Sequence, residues 1–363
     1  MTVARLRLAR TEGVGPVTYR RLLLRYGAPE AALDALPHLA RGAGRTTAPH
    51  IPSLSDMARE MDGVERLGGR MLFLDDPDYP QLLAQLETGP PVISVLGDVA
   101  CFKLRAVALV GARNASANGR RVAEILAADL ALSGLAVVSG LARGIDAAAH
   151  EGALRTGCTI AAIAGGLDIP YPPENAALQA RIAERGAVVA EAPLGTAPQA
   201  RHFPRRNRVI AGLSQGVIVV EAAPQSGSLI TARMAREANR ELFAVPGSPL
   251  DPRCRGSNDL IRSDNAYLTE SAADVLAQLP PGMTLPQPRH AGVAEQESPY
   301  GVALEDIDGA RLKLLELLGP SWAPVDDLVR RCQLSAAVVM AVLMELEAEG
   351  QVQIMGTQVC LIV

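Results

Sequence analysis

Short apolar runs that alternate with helical patterns constrain the fold of this chain more than any other feature. Each run is rich in Val, Ile and Ala, and most of them end in Gly or Ser. Strands that are apolar on both sides belong to a parallel sheet covered by helices on both faces. The pattern therefore predicts an α/β protein with a Rossmann-like parallel sheet core. The six runs lie at 106–111, 135–140, 159–166, 187–191, 216–221 and 241–247.

The patterns divide the chain into four predicted segments. Residues 1–85 form a small helical domain, and residues 86–279 form the α/β core. Residues 280–308 are a linker, because this stretch is Pro-rich and has no period. Residues 309–363 form a winged-helix-like domain. Its predicted elements are helices at 310–318, 325–331 and 335–349 and a hairpin with Gly356 at its turn.

The composition is that of a globular chain. Of the 363 residues, 48% are apolar and 20% are charged, and the formal net charge is −4. These values indicate two or three domains and exclude intrinsic disorder. The longest uncharged apolar run, residues 130–142, is shorter than the roughly 20 residues that a membrane helix needs. We therefore expect no membrane span and a cytoplasmic location.

The basic residues and the cysteines exclude two further classes of protein. Lys103 and Lys313 are the only lysines, and no G-x-x-x-x-G-K-S/T motif is present, so a P-loop nucleotide hydrolase is excluded. The five cysteines are scattered and form no C-x-x-C pair. Neither a disulfide framework nor a zinc site is indicated, and we predict no metal site.

Small polar residues follow several of the predicted strands. Gly111 and Arg113 come after the first run, and Ser226, Gly227 and Ser228 open the helix after the fifth run. The carboxyl ends of parallel strands meet at one edge, where free N–H groups of helix starts bind phosphate. No G-x-G-x-x-G motif is present, so we predict no dinucleotide cofactor. A row of such loops suits a polymer backbone better than a small molecule.

The strongest local signal is the segment RHFPRRNR at 201–208, which contains no acidic residue. Arginines bind phosphates with salt-dependent affinity, and an aromatic ring offers a face on which an unpaired base can stack. This combination predicts binding of single-stranded nucleic acid. The residues concerned are Arg201, Phe203, Arg205, Arg206 and Arg208.

Asp146 and His150 are four residues apart on a predicted helix. Such a pair could be catalytic or metal-binding, or it could be buried for structural reasons. No third ligand or nucleophile is placed beside it by the sequence. We therefore favour the structural interpretation and predict no catalytic residue.

The two flanking segments leave functional alternatives open. The stretch TEGVGPVTYRRLLLRYG at 11–27 resembles a helix-hairpin-helix turn, which contacts DNA phosphates through backbone N–H groups, but a purely structural helical domain fits equally well. The would-be recognition helix at 335–350 contains Glu345, Glu347 and Glu349 and no basic residue. Carboxylates repel a phosphate backbone, so we predict that this domain binds a protein or has a regulatory role rather than binding duplex DNA.

Five long motifs in order resemble the DNA-processing protein A family. They are ALVGARNASANG, SGLARGIDAAAHEGAL, GGLDIPYPPEN, NRVIAGLSQGVIVVEA and SGSLITARMAREANRELFAVPGS, and the resemblance covers roughly residues 70–278. It implies an extended Rossmann fold that binds single-stranded DNA, forms a homodimer, and loads the RecA recombinase during natural transformation. A sterile-alpha-motif-like amino-terminal domain and a winged-helix tail, which many members of the family have, are consistent with the flanking segments. Single-strand-binding protein is a further candidate partner.

The resemblance also implies where the family's DNA pocket falls in this chain. The first loop reads G-A-R where G-S-R is common in the family, and a lysine common before the F-P element is absent. The carried-over positions coincide with those chosen from the residues alone. They are Gly111, Arg113, Ser226, Gly227 and Ser228, together with Arg201, Phe203, Arg205, Arg206 and Arg208.

Two other functions compete with a recombination mediator. Rossmann enzymes similar to the lysine-decarboxylase-like phosphoribohydrolases share a glycine-rich edge, but they use a P-G-G-x-G-T pattern followed by a catalytic glutamate. The comparable loop here is QSGSLIT at 225–231, and the next acid is the distant Glu237. An adaptor whose arginines bind acidic proteins is the third class. We favour the non-enzymatic mediator.

Overall fold

A computed structural model describes most of the chain. The described residues are 2–42, 49–280 and, between 311 and 361, the positions 311, 313–315, 317–318, 323–332, 339, 342–343, 346, 351–355 and 358–361.

Helices dominate the first part of the chain, and strands and helices alternate after it. The helices are α1 Thr2–Arg10, α2 Pro16–Tyr26, α3 Pro29–Gly42, α4 Leu54–Arg66, α5 Gln81–Ala84, α6 Ala117–Leu132, α7 Ile145–Thr156, α8 Ala176–Arg185, α9 His202–Leu213, α10 Gly227–Glu237, α11 Arg255–Arg262, α12 Ala272–Gln278 and α13 Val325–Cys332. The strands are β1 Arg70–Phe73, β2 Val92–Gly97, β3 Ala106–Val110, β4 Ala136–Ser139, β5 Thr159–Ile163, β6 Ala187–Ala190, β7 Gly216–Val219, β8 Glu241–Ala244, β9 Tyr267–Leu268, β10 Ala323–Pro324, β11 Val352–Met355 and β12 Gln358–Leu361. Each of the six predicted apolar runs contains a strand, from β3 to β8.

Nine strands form one sheet in the order β1-β2-β6-β5-β4-β3-β7-β8-β9. The strands from β6 to β9 in this order are parallel, whereas β2 pairs antiparallel with both β6 and β1. The chain moves outward from β3 through β4, β5 and β6, and then returns to place β7 on the other side of β3. Open parallel sheets bind ligands beyond the carboxyl ends of the strands at such a reversal point.

Both faces of the sheet are buried, which explains the apolar character of the strands. In β3, Ala106, Ala108 and Val110 point into one core cluster, whereas Val107 and Leu109 point into another. The first cluster includes residues of α9 and α10, and the second includes residues of α6, α7 and α12. The predicted α/β class with a parallel sheet core is confirmed.

The first four helices pack around their own small core. Leu8 and Tyr19 are buried in a cluster shared by α1, α2 and α3. Pro16 starts α2 after the extended Gly15, and a capping box between Ser53 and Asp56 starts α4. Residues 1–284 form one compact unit and residues 285–363 a second.

The strand β1 lies within residues 1–85, which the sequence assigned to the helical segment, and it pairs with β2 in the main sheet. The four-part division of the chain stays a prediction. None of the described helices is both long enough and apolar enough to cross a membrane.

The second unit has the elements of a winged helix. The strands β10, β12 and β11 form an antiparallel sheet in that order, next to α13 in the sequence. Leu314, Leu328, Val342 and Leu346 are buried in its core. The predicted helices at 310–318 and 335–349 lie partly outside the described residues. Also outside them are 281–308 of the predicted linker, Gly356, Glu345, Glu347 and Glu349.

Candidate nucleic-acid interface

The loop after β3 is tied to the end of β7, its neighbour at the reversal point. Ser116 donates its N–H and its hydroxyl to the carboxylate of Glu221, with 2.9 Å between N and Oε2. The same hydroxyl oxygen accepts from the N–H of Gly119 and so caps α6. A Cβ atom at Gly111 would lie 2.5 Å from Cγ1 of Ile145, so only glycine fits there. The loop is therefore held rigidly, while Arg113 is exposed on it.

The start of α10 faces the same place. Ser226 precedes the helix in an extended conformation, and its side chain makes no capping hydrogen bond. Its hydroxyl oxygen is buried and has no partner among the described residues. The first N–H groups of a helix have no partners within the helix and carry a partial positive charge. Asn207 on α9 donates to the carbonyl of Gly227 at 3.3 Å, which fixes the two helices to each other.

Arg206 is buried rather than exposed, unlike its neighbour Arg205. Its Nη1 lies 3.5 Å from Oδ2 of Asp146, and it passes so close to Gly140 that a Cβ atom there would be 1.2 Å from Nη1. Burial raises the pKa of Asp146, although the Arg206 charge opposes this shift. Burial lowers the pKa of Arg206. The pair is thus a desolvated ion pair beneath the surface.

Two guanidinium groups lie close to the ring of Phe203. The Cζ atom of Arg113 is 4.7 Å from the ring centroid, and that of Arg206 is 5.7 Å from it. The ring of Tyr171 is 5.9 Å away, centroid to centroid. Cations are attracted to the face of an aromatic ring at such distances. Phe203 therefore positions Arg113, in addition to offering half-buried aromatic surface.

One pocket of about 550 Å³ collects most of the predicted residues. It opens at the reversal point between β3 and β7, as the topology requires. Among the described residues, Asp146 is the one carboxylate that lines the pocket, and Arg206 is its ion-pair partner. Seven of the ten predicted residues line it, namely Gly111, Arg113, Phe203, Arg206, Ser226, Gly227 and Ser228.

The other three predicted arginines lie elsewhere. Arg205 and Arg208 line a neighbouring cleft of about 610 Å³, which Arg206 also reaches, and Arg201 is exposed outside both linings. Arg208 binds both carboxylate oxygens of Glu191 at 2.8 Å, so its charge is already neutralised. Of these three, Arg205 is thus the residue with an exposed side chain inside a described cleft.

The amino-terminal helices form the far wall of that cleft. The turn between α1 and α2, residues 13–16, faces Arg205 and Arg208 across it. Arg10 holds this wall in place through Glu60 at 2.8 Å and the carbonyl of Glu191 at 3.0 Å. The predicted helix-hairpin-helix turn therefore lies beside the arginine segment.

Asp146 and His150 make separate contacts. Asp146 pairs with Arg206, whereas Nδ1 of His150 lies 2.7 Å from the hydroxyl of Thr159, which donates to the carbonyl of Val137. His150 is fully buried, and burial lowers its pKa to about 3. The structural interpretation of both residues agrees with these contacts.

Within the described residues, one group of side chains has the spacing of a metal site: Glu221, Asp251 and Cys254. However, Glu221 already accepts from Ser116, and Asp251 accepts from Arg253 at 2.7 Å. These partners occupy the carboxylates of two of the three residues, which disfavours a resident metal at this group.

Sequence reasoning missed several residues that shape the site. Tyr171, Asn207 and Glu221 each contact a pocket residue or hold one in place. All three lie inside the motifs quoted for the family, but only the folded chain shows what they touch.

Models of known protein families match three parts of the chain. The model of the family described as DNA recombination-mediator protein A matches residues 70–280. The chain belongs to this family. Residues 1–63 match its DprA-like N-terminal HHH domain, and residues 298–356 match its DprA winged helix domain. The family resemblance and the predicted winged-helix-like domain are therefore confirmed.

Relatives in several bacteria are similar over most of their length. Protein Smf of Synechocystis is 34% identical, with 95% of this chain and 94% of that protein covered. DNA processing protein DprA of Bacillus subtilis is 42% identical over 64% of this chain and 76% of that protein.

Two solved structures of the family are similar to this one. The X-ray structure of DprA from Streptococcus pneumoniae has a TM-score of 0.66 and 32% identity, covering 78% of this chain and 99% of that chain. A structure of DprA from Helicobacter pylori, described by its single-stranded DNA binding mode, has a TM-score of 0.53 and 29% identity, covering 58% of this chain and 95% of that chain.

Proposed function

We propose that this protein binds single-stranded DNA through the Arg113 pocket and acts as a recombination mediator without enzymatic activity. The observation that supports this most directly is the convergence of the β3 loop, the start of α10 and Phe203 on one pocket. The family relationship and the single-stranded DNA binding mode described for the Helicobacter pylori relative support it as well.

In this proposal the pocket binds the phosphates of the strand. The exposed Arg113, kept in place by Phe203, and the free N–H groups at Gly227 and Ser228 form the anion site. None of these groups reads base edges, so binding is sequence-independent and depends on salt. A base stacks on the aromatic surface that the half-buried Phe203 and the exposed Tyr171 offer together.

Along the strand, Arg205 in the neighbouring cleft is the next phosphate contact. Arg201 is exposed near it and adds charge to the approach. Arg206 and Arg208 contribute through the ion pairs that shape the site, with Asp146 and Glu191 as their partners.

The partners of the proposed mediator follow from the family. We propose that it loads RecA recombinase onto single-stranded DNA during natural transformation, with single-strand-binding protein as the protein that RecA must displace. We further propose a homodimer and a cytoplasmic location.

The homodimer has a candidate surface at the edge of the sheet. The edge strand β9 exposes Tyr267 at 46% and Leu268 at 50%, whereas Leu72 and Phe73 at the opposite edge strand are buried. Exposed edge strands pair with other chains, and a two-fold dimer uses the same patch twice. Leu268→Arg should convert dimer to monomer in light scattering, whereas Leu24→Arg, at another exposed leucine, should not.

Binding to a fluorescent single strand and to the matching duplex across a salt series tests the function. We expect a preference for the single strand, and we expect Arg113→Ala to lower affinity evenly across sequences and the salt slope by about one unit. Phe203→Ala should also weaken binding. Arg155→Ala is the matched control, since Arg155 is an exposed arginine in the last turn of α7, whereas the pocket lies near the first turn of that helix. Equal affinity for the single strand and the duplex, or an Arg113→Ala variant with the affinity of the wild type, would contradict the proposal.

RecA loading is tested separately. Filament assembly on DNA coated with single-strand-binding protein should accelerate with the wild-type protein and not with Arg113→Ala. If the wild-type protein binds DNA but does not accelerate filament assembly, it is a DNA-binding protein and not a RecA loader.

The phosphoribohydrolase alternative is not favoured. Glu237 is exposed at the last residue of α10, whereas the pocket lies at the first turn of that helix. The carboxylate that does line the pocket, Asp146, is held by Arg206. Release of base from nucleoside monophosphates by the purified protein would reverse this conclusion.

A further inference from the structure

Two cysteines lie side by side at the edge of the sheet opposite the Arg113 pocket. Cys101 is in the short 3-10 helix Val99–Lys103 before β3, and Cys158 immediately precedes β5. Their Sγ atoms are 2.6 Å apart although the residues are separated by 57 positions in the sequence. Because parallel strands begin at the same edge, the pair spans the start of β4, which lies between β3 and β5.

The backbone on both sides of the pair is fixed. Asp98 accepts from the N–H of Ala100 at 2.8 Å and so caps the 3-10 helix. The carbonyl of Cys158 accepts from the N–H of Val137 in β4 at 3.1 Å. The close approach of the two sulfurs therefore rests on well-anchored segments.

The two thiols differ in exposure and in acidity. Cys101 is 6% exposed, whereas Cys158 is half-buried and follows three exposed residues, 155–157. The thiol of Cys158 donates to the sulfur of Cys101, which lowers the pKa of Cys101 and raises that of Cys158. The separation of 2.6 Å is within about 0.6 Å of a disulfide bond length.

We propose that Cys101 and Cys158 form a dithiol oxidation site that closes to an intramolecular disulfide on reaction with a low-molecular-weight disulfide. In the first step, the thiolate of one cysteine attacks the small disulfide, forms a mixed disulfide and releases one small thiolate. In the second step, the other cysteine loses its proton to solvent and attacks the first cysteine's sulfur. The second small thiolate leaves, so two electrons pass from the protein and one small disulfide becomes two thiols.

The remaining cysteines provide an internal comparison. Within the described residues, none of them has another cysteine sulfur as a hydrogen-bond partner. Cys254 is buried, and burial together with Glu221 and Asp251 raises its pKa, which disfavours reaction. Cys332 and Cys360 are buried in the second unit. Oxidation should therefore be confined to the Cys101–Cys158 pair.

The test uses the full chain, reduced, freed of reductant and incubated with glutathione disulfide. We expect the intact mass to fall by about 2 Da, for two lost hydrogens. Peptide mapping without reductant should find one cross-link, between the peptides of Cys101 and Cys158, and an unmodified Cys254. The melting temperature should rise by a few degrees, since the link restrains the unfolded chain, and reductant should reverse the rise.

Single variants separate the proposal from a general effect of oxidation. Cys101→Ser and Cys158→Ser should show neither the cross-link nor the rise in melting temperature. The wild-type peptide map decides the question by itself if either variant does not fold. A lasting glutathione adduct on Cys101 or Cys158, a link from either to a different cysteine, or no reaction would overturn the proposal.

Discussion

The guanidinium of Arg206 occupies the space that a side chain at residue 140 would need. Gly140→Ala places a Cβ atom 1.2 Å from Nη1 and therefore displaces the guanidinium from Asp146. A buried charge that loses its partner costs about 3 kcal/mol, so we expect a loss of that size in the free energy of unfolding. Urea unfolding measures it. The control is Gly227→Ala, where an added Cβ meets nothing within 4 Å, and equal midpoints for the two variants would contradict the prediction.

His150 predicts a specific dependence of stability on pH. Its folded-state pKa is lowered to about 3 by burial, whereas in the unfolded chain it stays near its ordinary value of about 6.5. Between these two values the unfolded state binds a proton that the folded state does not. The free energy of unfolding should therefore fall by about 1 kcal/mol for each unit by which the pH is lowered from about 6 to about 3. His150→Gln should flatten this part of the pH profile of denaturant unfolding. Wild-type and variant profiles of the same slope would refute the assignment.

At the scale of elements, the contact between Glu221 and Ser116 joins the two strand ends that form the pocket. Both carboxylate oxygens of Glu221 accept hydrogen bonds from Ser116. Glu221→Gln replaces one of these oxygens by an NH2 group, which donates and cannot accept, so one of the two bonds is lost. The loop bearing Arg113 should then lose its fixed position, and single-stranded DNA affinity should fall about tenfold, or about 1.4 kcal/mol. The measurement is the dissociation constant for single-stranded DNA, calculated from the concentration of folded protein. Glu124→Gln, at the ion pair with Arg155, should bind normally, and an equal loss in both variants would argue against positioning.

The same scale shows what the sequence could predict about the fold. The strands β3 to β8 were recognisable because both of their faces are buried, which leaves an uninterrupted apolar run. The edge strand β9 has two exposed residues and so has no such signal. The order of the strands is decided by packing between segments that are distant in the sequence. Local patterns therefore could not predict that β3 pairs with β7.

The candidate site was predictable to a similar extent. Both pocket loops follow strands of a parallel sheet, so their meeting at one edge follows from the topology class. The arginines of 201–208 looked alike in the sequence, but Arg201 precedes α9 and the other three lie on different faces of that helix. As a result Arg206 is buried, Arg208 is paired with Glu191, and Arg205 is exposed. Which face is inward depends on the long-range partners Asp146 and Glu191, and a local run of basic residues does not encode them.

For the whole molecule, charge is divided unequally between the two compact units. Residues 285–363 contain eleven acidic and five basic residues, so this unit accounts for the negative net charge of the chain. All ten predicted pocket residues lie in residues 1–284. Because like charges repel, we expect the second unit to oppose the approach of DNA at long range and salt to screen this repulsion.

Removal of residues 285–363 tests that division of labour. The remaining unit should bind single-stranded DNA at least as tightly as the full chain, with a gain of up to about threefold at about 50 mM salt and none at about 300 mM, because the Debye length shrinks. The isolated fragment 305–363 should produce no shift of duplex DNA in a gel. Residues 301–363 contain nine acidic and only four basic residues, so the phosphate backbone repels them. A tenfold loss of affinity at both salt concentrations, or tight duplex binding by the fragment, would instead show that the winged-helix unit contacts DNA. If the shortened chain binds single-stranded DNA as tightly as the full chain, the winged-helix unit is free to bind a protein, which is the role that its acidic sequence predicts.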